Sequence, residues 1–277
     1  MKMKMAFATC VQLGLSCIEE IYRIGGELDL LITLKDEKAK NKSGRIYLDD
    51  ISKEHDIPLL KIDNINDEEV IKALIDNKID WLFIIGWSQI AKKDVLEAPS
   101  KGCIGMHPTL LPMGRGRAAI PWAILKGLKQ TGVTMFKLDE GVDTGDIIGQ
   151  GIIDLDSNTT ATELYDKVND MHIALIAKYW DDIVNNKITL TKQNEEYATE
   201  WPGRKPEDGE IYNSMTMDEA DKLVRAVTHP YPGAFYKDGN RVIRIWAAQI
   251  NPDKGKIKLK DGYLIPVDYE IEEDIHG

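Results

Sequence analysis

The chain has 277 residues, 43% of them hydrophobic, enough to bury a sizeable core and to build one large domain with a small one beside it. Its 46 acidic against 35 basic side chains leave a formal net charge of -11, which argues against a protein that grips nucleic acid, although a local basic patch would survive it. The three cysteines, Cys10, Cys17 and Cys103, show no metal-ligand spacing and read as reduced thiols of a cytoplasmic protein, and no apolar run predicts a signal peptide or a membrane span.

Met5 to Cys10 is a short apolar run that predicts a first strand. Val11, Leu15, Ile18, Ile21 and Tyr22 then recur at the spacing of a helix face, ended by Gly25 and Gly26. Leu30 to Leu34 reads as a second strand, and this strand-helix-strand opening implies a parallel sheet with a right-handed crossover. The turn at Gln12 to Gly14 lacks G-x-G-x-x-G, so a dinucleotide site is poorly supported. Asp36 to Ser43 is a charged run expected to be an exposed loop. A helix over Tyr47 to His55, a strand over Ile57 to Ile62 and an amphipathic helix over Asp67 to Asn77 follow. Trp81 to Ile85 is continuously apolar, as a central strand covered on both faces must be. It ends at Gly86-Trp87-Ser88-Gln89-Ile90, and ligands of open α/β sheets collect beyond such carboxyl ends. A tight turn with Trp87 packed on a helix is the other reading of that segment.

Residues 101–150 concentrate chemistry-bearing side chains. His107 follows a strand-like approach and is pinned by Pro108, which fixes its own φ and restricts the residue before it. A histidine in a loop is ordinarily a surface residue; here a second loop, Gly141-Val142-Asp143-Thr144-Gly145, offers a carboxylate between glycines that permit close approach. A neutral imidazole with a nearby carboxylate suits proton transfer at neutral pH. Between them, Met113 to Ala118 holds Arg115 and Arg117 among glycines. Such a loop suits an anionic group, although Arg117 could equally pair with a structural carboxylate. It lacks the lysine-serine/threonine ending of a P-loop. Ala119 to Leu128 then predicts a helix with Pro121 tolerated in its first turn.

Thr160 and Glu163 have the spacing of a capping box opening a long helix, with Leu164, Val168, Met171, Leu175 and Ile183 at helical spacing. Met171 and Trp180 are expected in the core, and His172 on the helix surface. Near Asn185 the character changes. A short helix over Met217 to Thr228 and strands over Arg241 to Ile250, Lys256 to Lys260 and Tyr263 to Tyr269, parted by turn sequences, predict a compact β-rich barrel. The division expected is a catalytic domain over 1–190 and a small β-rich domain over 191–277.

The segment HPTLLP, then GRGRA, then TGVTMFKLDEGVDTGDII, resembles the N10-formyltetrahydrofolate-dependent formyltransferases, a family that includes methionyl-tRNA, glycinamide ribonucleotide and nucleotide-sugar formyltransferases. The tail segments RKPEDG and YPGAF are similar to the sugar-formylating branch. The resemblance implies an α/β formyltransferase fold, Rossmann-like with a mostly parallel sheet. It places the catalytic histidine at His107 and the catalytic aspartate at Asp143, which would orient the ring and stabilise its charged form. It implies that Gly86, Trp87, Ser88 and Ile90, with Glu140, Gly141 and Val142, bind N10-formyltetrahydrofolate, and that Thr109, Arg115 and Arg117 serve the substrate. It further implies a nucleotide-linked amino sugar as acceptor, for bacterial surface glycans, in a cytoplasmic homodimer without a metal. One position departs from the family pattern N-x-H, where the asparagine is replaced by Gly105. Losing one such oxyanion donor costs about two to three orders of magnitude in rate. A water in the vacated space, a backbone N–H or Ser88 would have to substitute, or the site is crippled. Three other readings stay open: methionyl-tRNA formylation, a non-catalytic folate- or sugar-nucleotide-binding homologue, and a hydrolase that releases formate.

Overall fold

The structure, a computed structural model, describes residues 2–38 and 45–273. Its first half runs β1 (Met5–Ala8), α1 (Gln12–Arg23), β2 (Leu30–Leu34), α2 (Asp49–Glu54), β3 (Leu59–Ile62), α3 (Glu68–Asp76), β4 (Trp81–Ile84), α4 (Lys93–Glu97) and β5 (Gly102–His107). There follow β6 (Arg115–Gly116), α5 (Ala119–Leu125), β7 (Gln130–Lys137), β8 (Ile147–Asp154), α6 (Ala161–Val184) and β9 (Glu200–Trp201). The chain closes with α7 (Met217–Val227), β10 (Ala234–Asp238), β11 (Arg241–Asn251), β12 (Ile257–Lys258) and β13 (Tyr263–Glu273). Of the charged run predicted as a loop, Asp36–Lys38 form a 3-10 turn, and 39–43 lie outside the described residues.

The chain forms two compact units interleaved in sequence. One takes the chain up to Arg115, Gly132–Ile153 and Val168–Glu200; the other takes Gly116–Thr131, Asp154–Lys167 and the chain from Trp201. Residues 191–200 thus belong with the first unit.

Seven strands form one sheet in the order β3-β2-β1-β4-β5-β7-β8. β1 pairs in parallel with β2 and with β4, β2 with β3, and β4 with β5, whereas β7 runs antiparallel to β5 and sets Thr134 opposite His107. The chain fills one side of β1 first and the other side afterwards. The order therefore reverses at β1, and the carboxyl ends of β1 and β4 flank the crevice that such a reversal opens. Every residue of β1, β2, β4 and β5 is buried, as a sheet covered on both faces requires. Phe7 stacks on Phe83 (centroids 5.5 Å apart) and Phe83 on Trp180 of α6 (6.0 Å).

The capping box forms as its spacing predicts: Glu163 accepts from the Thr160 N–H at 2.9 Å and Thr160 Oγ1 from the Glu163 N–H at 3.3 Å. The expectation for His172 is corrected. Its side chain is buried, with Nδ1 donating to the Val168 carbonyl at 2.7 Å. The residue lies four after Val168 and three before Leu175, so helical geometry carries it onto the apolar face whatever its polarity.

In the second unit, α7 buries Ala220, Leu223, Val224, Ala226 and Val227 and is capped by Thr216 and Glu219. Its sheet has the antiparallel order β10-β11-β13-β12, and Glu210 adds a parallel bridge to Phe235 of β10. Asp238 pairs with Arg241 across a two-residue turn, where Gly239 takes the positive φ that hairpin turns require.

Candidate active site

His107 closes β5, and the turn after it is held by side chains of β7 and β8. Thr134 Oγ1 donates to the Thr109 carbonyl (2.7 Å) and accepts from the Leu111 N–H (3.0 Å) and Gln150 Nε2 (2.8 Å); Gln150 Nε2 also donates to the Leu111 carbonyl at 2.8 Å. The imidazole is buried, and its Nε2 lies 2.8 Å from the Gly114 carbonyl oxygen. A carbonyl only accepts, so Nε2 carries the proton, and in the neutral ring Nδ1 presents its lone pair. Nδ1 faces Asp143 Oδ2 at 3.6 Å, beyond direct hydrogen-bonding distance. The ring is therefore oriented by Gly114, and Asp143 stands across a gap from the nitrogen that can take up a proton.

The aspartate sits in the tight connection between β7 and β8. Asp139 Oδ1 accepts from the Gly141 N–H (3.1 Å) and from Thr144 Oγ1 (2.7 Å). A Cβ on Gly145 would overlap the Lys137 carbonyl, so that glycine is sterically required, and one on Gly141 would displace the Thr144 hydroxyl. Asp143 itself adopts a left-handed φ of 55°, which costs a non-glycine residue roughly 1–2 kcal/mol. Gln193 holds it there, its Nε2 donating to the carbonyls of Asp143 and Gly145, both at 2.8 Å. At the tip, Glu140, Gly141 and Val142 are exposed.

Gly105 lies in mid-strand, opposite Ile84 on β4 and Phe136 on β7. A Cβ added there would come 2.7 Å from Leu138 Cδ2 and 3.2 Å from its Cγ. The space beyond Gly105 is thus filled by Leu138, which packs with Trp87 on the core under the parallel sheet, and the expected vacancy for a water is not there. The loop after β4 turns at Gly86 with φ 65°, where an added Cβ would come 2.3 Å from Val11 Cγ2. Gln89 accepts from the Ile65 N–H (2.8 Å) and donates to the Asp63 carbonyl (3.0 Å), and Asn66 Nδ2 donates to the Ile90 carbonyl (2.9 Å). These bonds leave Ser88 and the side chain of Ile90 exposed. Trp87 Nε1 and Thr109 Oγ1 are buried with no hydrogen-bond partner among the described residues.

The two arginines part company. The Arg115 guanidinium is buried and makes a forked pair with Glu195 (2.7 and 2.9 Å) while donating to Gln193 Oε1 (2.7 and 3.2 Å). It meets a protein carboxylate where the sequence suggested a ligand's anion, and it holds the Glu195 carboxyl below its ordinary range. Arg117 belongs to the other compact unit, where its N–H donates to the Trp201 carbonyl at 3.2 Å. Sequence reasoning missed Leu138, Gln150 and Gln193. Gln150 carried a signal, as a lone polar residue in an apolar strand; Gln193 lies in a uniformly polar stretch and carried none. Among the described residues no group of three or more His, Cys, Asp or Glu is placed to hold a metal ion, and no helix is long and apolar enough to cross a membrane.

With this geometry in place, comparison with known proteins is decisive. Residues 22–178 match the formyl transferase family, and residues 204–271 match the formyl transferase C-terminal domain. The chain belongs to the formyl transferase family. It is accordingly a one-carbon group transferase. The methionyl-tRNA formyltransferase of Clostridium perfringens (strain SM101 / Type A) is 32% identical over 228 residues, 82% of this chain and 73% of that one. Among solved structures, the N-formyltransferase of Helicobacter canadensis, determined with folinic acid and dTDP-3-aminofucose, superposes with a TM-score of 0.69 at 22% identity, covering 91% of this chain and 89% of that one. A 4-N formyltransferase of Francisella tularensis gives 0.68 at 25% identity, covering 86% and 94%.

Proposed function

We propose that this formyltransferase moves the formyl group of N10-formyltetrahydrofolate onto the amine of a nucleotide-linked amino sugar, a building block of bacterial surface glycans. The observation that carries the chemistry is the 3.6 Å gap between His107 Nδ1 and Asp143 Oδ2 at the carboxyl edge of the sheet. A neutral amine attacks the formyl carbon, so a C–N bond forms as the carbonyl becomes an oxyanion. The amine nitrogen gives its proton to Nδ1, which the Asp143 carboxylate favours by facing the imidazolium. Collapse breaks the bond to N10 of the folate, and that nitrogen takes a proton in turn, so none is gained or lost. For the folate, the Gly86–Ile90 and Glu140–Val142 loops supply backbone groups and the exposed apolar side chains of Ile90 and Val142.

The acceptor class is supported by the Helicobacter and Francisella structures, the first named with a dTDP-amino sugar, and by the net charge of -11. The Clostridium relative favours methionyl-tRNA as a second reading. One assay separates them. Purified protein with N10-formyltetrahydrofolate is offered UDP-, dTDP-, GDP- and CMP-linked amino sugars and, separately, charged initiator tRNA, with products read by mass spectrometry. Formylation of one sugar is the expected outcome. Formylation of the tRNA alone overturns the sugar assignment, and folate binding without any product points to a non-catalytic homologue.

A further inference from the structure

The polar segment after α6, without a sequence signal of its own, touches both loops of the site. Thr191 is bonded to Ile147 in both directions (2.8 and 2.9 Å), which anchors the segment at the start of β8. Two residues on, Gln193 spans the Asp143 and Gly145 carbonyls. At the far end, Thr199 Oγ1 accepts from the Gly114 N–H (2.9 Å), its carbonyl accepts from the Arg115 N–H (2.9 Å), and its N–H donates to the Pro112 carbonyl (3.2 Å). Gly114 is the residue whose carbonyl orients His107. One strand of chain therefore grips the aspartate loop with one end and the histidine's partner with the other.

We propose that residues 191–199 form a strap that sets the spacing of His107 and Asp143, with Gln193 as the positioning residue for the aspartate. Asp143 needs such a device because its left-handed backbone is unfavourable for a residue with a side chain. Arg115 makes the device one-handed. Its guanidinium only donates, so the Gln193 oxygen must face it and the amide nitrogen must face the two loop carbonyls. Glu195 keeps that guanidinium in place with two further bonds. The forked Arg115–Glu195 pair thus serves to fix which way one glutamine points, and the glutamine fixes the loop. The inference rests on His107 and Asp143 being the proton-handling pair.

Gln193→Glu is the discriminating variant. It has the size of glutamine and still accepts from Arg115, but it sets a carboxylate oxygen against two carbonyls in place of the N–H donors. In the sugar assay, Gln193→Glu and Gln193→Ala are expected to lower kcat by about 10- to 100-fold, the scale of a small misplacement of reacting groups, with KM for folate and acceptor within about threefold of wild type. Were Gln193 only a partner for Arg115, Gln193→Glu would keep the wild-type kcat, and that result overturns the proposal. Hydrogen exchange on the full-length protein gives a readout independent of turnover. Amides of residues 139–146 in Gln193→Glu should exchange about tenfold faster while the parallel sheet is unchanged. Unaltered exchange there overturns the strap, even if no acceptor has been found; a wild-type protein inert toward every acceptor counts against the proposed function and leaves this arm to decide.

Discussion

Because the Gly114 carbonyl fixes the proton on Nε2, the nitrogen of His107 left open to protonation is Nδ1, and the aspartate faces that nitrogen across 3.6 Å. His107→Ala removes the proton acceptor, and Asp143→Asn keeps the loop's shape but removes the charge that favours the imidazolium. Each is expected to lower kcat by about 10²- to 10⁴-fold in steady-state kinetics while calorimetry shows folate binding retained. Near wild-type rates in both would sink these roles. Gly105 makes a second residue-scale case. Restoring the family residue by Gly105→Asn alone should fail, because Leu138 Cδ2 lies 2.7 Å from where the new Cβ must go. Overpacking of this kind costs about 1–3 kcal/mol, to be read as a lowered melting temperature with no gain in rate. The pair Gly105→Asn with Leu138→Ala makes room and should raise kcat above that of Gly105→Asn. A single Gly105→Asn variant of wild-type stability would show that Leu138 yields freely and does not guard the position.

At the scale of elements, α6 places an imidazole where helical periodicity wants an apolar side chain. Burial, with a smaller contribution from the charge of His107, pushes the pKa of His172 down to about 4. The folded-state value lies below the unfolded value near 6.5, so between these limits the unfolded chain binds a proton that the folded chain refuses. Stability is therefore full above about pH 6.5 and falls as the pH drops, the loss reaching roughly 3 kcal/mol below the folded value. Denaturant melts from pH 7 to 4 should show this slope, and His172→Gln should flatten it; an unchanged slope would mean that other groups carry it. This residue also marks how far the sequence could be read. β4 and α1 were legible because burial on both faces, or on one helical stripe, leaves a pattern along the chain. His172 was misplaced because its polarity was weighed above its position in the series from Leu164 to Leu175, where helix geometry decides. The turns around His107 and Asp143, together with the family likeness, singled out both residues, and the structure sets their side chains 3.6 Å apart. Their coupling through Gln193, and the filling of the Gly105 site by Leu138, depend on pairings between residues distant in the chain, and a single sequence has no period for those.

For the whole molecule, the choice between a sugar nucleotide and a tRNA is a question about charge. A tRNA presents a phosphate at every nucleotide, and a protein that neutralises several of them binds with log K falling against log salt by about 0.7 to 0.9 per phosphate. A chain with 46 acidic and 35 basic side chains repels such a polyanion at long range, and any local patch must overcome that field. A nucleotide diphosphate-sugar asks for much less, because one or two contacts neutralise it. The two readings thus separate in how strongly salt affects them as well as in product. The expected result is no shift of initiator tRNA in gels at low salt, where electrostatic binding is at its strongest, together with a KM for the sugar nucleotide that changes only a few-fold between 50 and 200 mM salt. Six to ten phosphate contacts would instead lose about 10³- to 10⁵-fold in affinity over that range. A tRNA complex with that steep dependence would show a basic patch that the net charge conceals, and the acceptor would then be the tRNA named in the Clostridium relative.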